Sequence, residues 1–324
     1  MSSTALSFSS PSLLRSTKLP TSISPPKFPA ISTTHFSRNR IFLPPLHPNP
    51  TRSPRIRSST SMAAGSTTGD IKKGLMVFES EGDLATKLAE YTTGLSGLSG
   101  KFTAERGAFT VVISGGSLVK ALRKLVEAPF VDLIEWGKWH VFWVDERVVP
   151  KDHDDSNYKL AYDGFLSKVP IPPGHVYAIN EALSAEGAAD DYETCLKQLV
   201  KSGVLQKSTS TEFPKFDLML LGMGPDGHVA SLFPGHPLLN EKERWITFIK
   251  DSPKPPPERI TFTFPVINSS ANIALVATGS GKAGVVQKAL GGENSASELL
   301  PVQMITLEDG ELTWFADRAA ASKL

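Results

Sequence analysis

The chain has 324 residues and a formal net charge of +1, and that near-balance hides an uneven distribution: residues 1–69 hold eight basic residues and no acidic one, leaving 26 basic against 33 acidic residues in the other 255. A net acidic body argues against a general nucleic-acid-binding surface. No run of about 18 apolar residues offers a membrane-spanning helix, and Cys195 as the only cysteine leaves no internal disulfide and no cysteine-based zinc cluster.

Residues 1–69 are rich in Arg, Ser, Thr and Pro, the composition of an organelle transit peptide or of a disordered tail. We read them as a chloroplast transit peptide cleaved near Ser61–Gly69, with Met62 as an alternative start. The organelle import machinery is then a partner. Residues 70–324 are long enough for one large domain, the single folded domain expected here, and end in Ser322-Lys323-Leu324, a peroxisomal address. Two destinations are therefore expected, chloroplast stroma and peroxisome.

From Lys73 onward short apolar runs alternate with helical ones. GLMVFES (74–80) reads as a strand, EGDLATKLAEYTTGL (81–95) as an amphipathic helix and FTVVIS (109–114) as a second strand. After a Gly-Gly turn SLVKALRKLVE (117–127) reads as a helix, WHVFWVDER (139–147) as a third strand and NYKLAYDGFLSK (157–168) as a helix. AADDYETCLKQLV (188–200) is helical and makes Cys195 a packing residue. FDLMLLGMG (216–224), NIALVATG (272–279) and VQMITLE (302–308) read as further buried strands, and HVASLF (228–233) as a short helix. PKPPPER (253–259) reads as a proline-rich surface loop needing no interaction role. Alternating strands and helices predict an α/β fold, a largely parallel sheet flanked by helices. Ligands collect at the carboxyl ends of such strands.

Gly222, Gly224 and Gly227 fit G-x-G-x-x-G, the spacing of a dinucleotide loop. The following helix candidate lasts about a turn and a half before Pro234, and Glu241 and Glu243 precede the next apolar run instead of ending it. TGSGKAG (278–284) fails as a P-loop, because Val276 and Ala283 stand where Gly and Ser/Thr are required. No nucleotide, metal or other cofactor is expected.

The chemistry concentrates at strand ends. Asp226 and His228 place a carboxylate two residues from an imidazole, a pairing suited to proton transfer near neutral pH. Asp145, Glu146 and Arg147 end another strand, where the residue types alone leave open which carboxylate faces a ligand. Ser114, Gly115, Gly116 and Ser117 form a strand-to-helix turn able to aim N–H groups at an anion, and Arg259 and Lys282 add positive charge for a phosphate. Taken singly, each cluster has an ordinary explanation: a structural or exposed histidine for Asp226 and His228, solvated charge for Asp145–Arg147, an N-cap and tight turn for Ser114–Ser117, and surface cations for Arg259 and Lys282.

SGGS, WVDERVVP, DSNY (155–158), GSGK and above all LLGMGPDGHVASLFPG resemble, in that combination, the 6-phosphogluconolactonases over nearly all of residues 74–318. The wider superfamily includes glucosamine-6-phosphate deaminases, which share an Asp-Gly-His loop and carry Tyr where Arg147 stands. The resemblance implies a modified Rossmann-like fold and hydrolysis of 6-phospho-D-glucono-1,5-lactone to 6-phosphogluconate in the oxidative pentose phosphate pathway. It implies His228 as general base, Asp226 as its orienting partner and Asp145 nearby. Ser114, Gly115, Gly116, Ser117, Arg147, Asn157, Arg259 and Lys282 would bind the sugar phosphate. A deaminase or isomerase on an amino-sugar phosphate, and a non-catalytic sugar-phosphate sensor, are the competing readings; retention of both Asp226 and His228 weighs against the sensor.

Overall fold

The structure, a computed structural model, describes residues 74–93, 97–291 and 299–324. The transit-peptide expectation for residues 1–69 lies outside the described residues. In chain order the elements are β1 (Gly74–Phe78), α1 (Glu81–Thr92), α2 (Leu98–Arg106), β2 (Phe109–Ile113), α3 (Leu118–Ala121), α4 (Phe130–Leu133), β3 (Trp139–Trp143), β4 (Asp145–Arg147), α5 (Asn157–Gly164), α6 (Ala185–Lys201), β5 (Gln206–Lys207), β6 (Pro214–Lys215), β7 (Leu218–Gly222), β8 (Ile246–Ile249), β9 (Arg259–Phe262), α7 (Phe264–Asn268), β10 (Asn272–Ala277), α8 (Ala283–Leu290) and β11 (Glu311–Asp317).

The main sheet runs β1-β11-β10-β7-β2-β3, with every pairing parallel. Helices cover both of its faces. Leu84 and Leu88 of α1 pack with Val111, Ile113, Leu218 and Leu220, while Leu196 of α6 and Val286 of α8 share the other core with Val112, Met219 and Leu275. Alternate residues of one strand thus enter two different cores, so β2, β7 and β10 read as continuous apolar runs. Local signals set the helix starts: Ser80 caps α1, its Oγ accepting from Asp83 N–H at 3.1 Å, and Ser184 caps α6 by accepting from Gly187 N–H at 3.2 Å.

Several elements depart from the sequence expectation. The 139–147 run is two strands. Val144 N–H still donates to Ile113 of β2, but its carbonyl accepts from Phe262, and Asp145–Arg147 then pair antiparallel with β9 in a second sheet, β4-β9-β8. The 117–127 run is a single α-turn, α3, continuing as a 3₁₀ helix over Leu122–Val126. Likewise 157–168 divides into α5 and a 3₁₀ turn, Leu166–Lys168. HVASLF forms no helix; Val229 and Leu232 pair as a bridge, and Ala230 takes φ +52°. VQMITLE is not a strand either: Pro301–Met304 is a 3₁₀ turn followed by the extended Ile305, which is buried with Val302, and the last described strand is β11.

Candidate active site

The carboxyl ends of β2, β3, β7 and β10 open on one cavity of about 320 Å³, whose lining includes Ser114–Ser117, Asp145, Arg147, Asn157, Gly224, His228, Lys254, Arg259 and Lys282. Every residue expected at the site except Asp226 lines this cavity, and Asp226 contacts His228, which does.

The loop after β7 is shaped around that contact. Gly224 N–H donates to the His228 carbonyl at 2.9 Å and Gly227 N–H donates to the Gly224 carbonyl at 3.0 Å. The reversal requires the left-handed φ of +83° at Gly227. A Cβ on Gly224 would lie 2.0 Å from His228 Nδ1, so glycine is required there for a different reason: the two side chains occupy the space a methyl would fill. His228 Nδ1 and Asp226 Oδ1 are 2.6 Å apart. With Nδ1–H donating to the carboxylate, Nε2 carries the lone pair. Burial pushes the imidazole below its ordinary pKa; Asp226 opposes that shift and Lys254 adds to it. Burial raises the Asp226 carboxyl, but its bonds to His228 and Lys254 outweigh this and hold it below the usual carboxylate range.

The Asp-Glu-Arg strand end separates its two carboxylates. Asp145 lines the cavity and accepts from Ser231 Oγ at 2.8 Å. Glu146 faces inward: Oε1 accepts from Arg147 N–H at 2.7 Å and Asn157 N–H at 2.8 Å, and Oε2 accepts from Tyr158 N–H at 2.7 Å. Burial pushes its carboxyl up to about 7 against those hydrogen bonds. It thereby fixes both Arg147 and the start of α5. Asn157 Nδ2 donates to the Asp145 carbonyl at 3.0 Å, and its Oδ1 sits where a Cβ on Gly115 would come within 1.8 Å. Ser117 starts α3 without a side-chain cap bond, so the capping role open to it in the sequence is not used. Gly116, at φ +65°, turns the chain.

Arg147 Nη1 donates to the Asp155 carbonyl at 2.7 Å, and its Nε is buried without a partner. Lys282 Nζ donates to the Met223 carbonyl, and burial, aided by Lys254, lowers its pKa. Arg259 is more committed than a free phosphate ligand. Its Nε donates to the Pro256 carbonyl at 2.9 Å, Nη2 to those of Lys254 and Pro255 at 2.8 and 3.0 Å, and Nη1 to Ser231 Oγ at 3.4 Å. One N–H remains, although the charge still borders the cavity.

Arg259's partners correct the reading of PKPPPER as a loop without a role, because this segment forms a wall of the site. Lys254, missed in the sequence, has Nζ 3.2 Å from Asp226 Oδ1 and 3.1 Å from His228 Nδ1. Ser231 was missed as well, being hidden inside the presumed helix. With Lys254 paired to Asp226, three cationic side chains (Arg147, Arg259, Lys282) share the cavity with the carboxylate of Asp145, an excess matching a phosphate monoester near charge −2.

A family model described as glucosamine-6-phosphate isomerases/6-phosphogluconolactonase matches residues 79–314. The chain belongs to this family. It is 63% identical over 300 residues, 91% of this chain and 92% of the relative, to "Probable 6-phosphogluconolactonase 4, chloroplastic" of Oryza sativa subsp. indica. It is 64% identical over 268 residues, 83% of this chain and 80% of the relative, to "6-phosphogluconolactonase 3, chloroplastic" of Arabidopsis thaliana. Among solved structures, 6-phosphogluconolactonase from Trypanosoma cruzi superposes with a TM-score of 0.68 at 26% identity, covering 79% of this chain and 98% of that one. The largely parallel sheet expected from the alternating pattern is present, and family membership agrees with the modified Rossmann-like fold that the resemblance implied.

Proposed function

We propose that the chain hydrolyses 6-phospho-D-glucono-1,5-lactone to 6-phosphogluconate, the second step of the oxidative pentose phosphate pathway, with His228 as the base. The observation that carries this reading is the 2.6 Å contact between Asp226 and His228 beside a cavity with excess positive charge. The names of the Oryza and Arabidopsis relatives support the substrate.

In the proposed step His228 Nε2 takes a proton from water as the water oxygen attacks the lactone carbonyl carbon. Asp226 holds Nδ1–H and offsets the imidazolium charge. The tetrahedral intermediate collapses with cleavage of the bond between that carbon and the ring oxygen. The proton on Nε2 passes to the departing oxygen, and the new carboxylic acid ionises. Asp145, fixed by Ser231, positions water or sugar hydroxyls. Arg147, Asn157, Arg259 and Lys282 with the 114–117 turn hold the 6-phosphate and so orient the ring. The amides of Gly115 and Gly116 donate to no backbone carbonyl among the described residues, which leaves them for a phosphate or the oxyanion.

Purified protein should accelerate acid release from freshly generated 6-phosphogluconolactone and release no ammonia from glucosamine 6-phosphate. The opposite pattern would make it a deaminase, and binding without either reaction a sensor. The chloroplastic names of the relatives support plastid import, and the exposure of Ser322, Lys323 and Leu324 is compatible with a peroxisomal receptor reading them.

A further inference from the structure

Lys254 has no role in the steps above, yet its placement is unusually constrained. Its N–H donates to Ser252 Oγ at 3.3 Å, Ser252 Oγ donates back to its carbonyl at 2.9 Å, and Arg259 Nη2 donates to the same carbonyl at 2.8 Å. Pro255 and Pro256 follow with ring-restricted φ, and their carbonyls accept from the same guanidinium. The side chain leaves this clamped backbone and crosses the face of Phe233, with Nζ 6.0 Å from that ring's centroid, to reach the Asp226–His228 pair. Phe233 also packs against the imidazole, centroid to centroid at 4.7 Å.

The three-way contact fixes a hydrogen on His228 Nδ1. An ammonium only donates and an ionised carboxylate only accepts. At 2.6 Å from Asp226 Oδ1, His228 Nδ1 must carry the hydrogen, so it has no lone pair to take a bond from Lys254 at 3.1 Å. The lysine's hydrogen bond therefore goes to Asp226, and its charge stands beside the imidazole unbonded to it. In the opposite pattern two acceptors would face each other at 2.6 Å. The proton would then sit on Nε2, leaving no base toward the cavity.

We propose that Lys254 is a positioning residue for the Asp226–His228 pair, anchoring the carboxylate and holding the imidazole in its neutral, Nε2-basic form. The proposal rests on the lactonase reading for the step His228 performs, but not for the contact itself. The ionisable groups around His228 are consistent with it. Asp226 and, across the cavity, Asp145 favour the imidazolium, while Lys254 disfavours it. Arg147, Arg259 and Lys282 line the same cavity, and Lys282 acts on Lys254 and Asp226. Among the described cations, Lys254 alone is hydrogen-bonded to the pair.

The test is Lys254→Met beside Lys254→Arg in the full chain. For Lys254→Met, kcat at neutral pH should fall about tenfold to a hundredfold, as for a misplaced catalytic group. KM should change less than about threefold. The acid limb of the kcat/KM profile, which reports the base of the free enzyme, should move to higher pH, because a cation that opposed protonation is gone. Lys254→Arg should restore the limb. A large rise in KM with kcat and the acid limb unmoved would make Lys254 a ligand of the substrate and overturn the proposal. Independently of turnover, the His228 ring can be titrated by NMR in wild type and Lys254→Met. An upward shift in the variant is expected, and an unmoved titration overturns the proposal. If the titration moves while wild type does not hydrolyse the lactone, the positioning role stands and the lactonase reading falls.

Discussion

Replacing Gly224 by alanine tests whether the glycines after β7 serve the Asp226–His228 pair. A Cβ there would lie 2.0 Å from His228 Nδ1, 2.1 Å from its Cε1 and 2.3 Å from Asp226 Oδ1, whereas ordinary contact begins near 3.4 Å. The imidazole must therefore retreat by about 1.4 Å. Displacing a reacting group by about 1 Å costs on the order of a hundredfold in rate. The backbone at 224 is not left-handed, so alanine itself is permitted and the damage should fall on the pair. We predict that Gly224→Ala folds, loses about 1–3 kcal/mol of stability from overpacking and loses about a hundredfold or more in kcat. Gly137→Ala is the control, since its Cβ would meet nothing within 4 Å, its φ is not positive and it lies outside the cavity lining; it should retain wild-type kcat. Initial rates of acid release from the lactone, corrected for spontaneous opening, read both variants. Wild-type turnover in Gly224→Ala, or equal damage in both, would refute the reasoning.

Arg259→Ala should destabilise the protein by about 3 kcal/mol or more by stranding the carbonyls of Lys254, Pro255 and Pro256, and should raise KM, whereas Lys282→Ala should mainly raise KM; urea unfolding and steady-state kinetics separate the two. His140 stacks on His175 with ring centroids 3.9 Å apart, and burial, then His175 and Arg106, push its pKa down to about 4. An unfolded histidine titrates near 6.5, so the unfolded chain binds the extra proton between those values. The stability from this group is complete above about pH 6.5 and is lost as pH falls toward 4. His140→Phe should shrink the drop in urea midpoint between neutral and acidic pH. A reporter carrying residues 1–69 should enter plastids, and one carrying residues 62–324 should enter peroxisomes. Cytosolic retention of the second would contradict the reading of Ser322-Lys323-Leu324.

Which parts were legible from sequence follows from how local their signals are. β2, β7 and β10 are buried on both faces, so their apolar runs stand out without any partner. β11 has a weak sequence signature because exposed Glu311 and half-buried Leu312 precede its buried Thr313–Asp317 core, while Val302 and Ile305 imitate a strand from in and just after a 3₁₀ turn. Val144 changes sheet through a carbonyl bond to Phe262, more than a hundred residues away, and no periodicity reports that. Asp226 and His228 were legible because two residues and one glycine turn join them. Lys254 was not: it reaches them only because Arg259 folds the proline-rich loop over the cavity. Ser231 was likewise obscured, since the left-handed Ala230 breaks the helix that HVASLF suggests.

The most direct test of the central claim compares wild type with His228→Ala for acid release from freshly generated 6-phosphogluconolactone over the spontaneous background. Loss of a general base typically costs about two to four powers of ten in rate, so wild type should accelerate the reaction and the folded variant should lose that acceleration to this extent. Undiminished turnover by a folded His228→Ala protein would contradict the account.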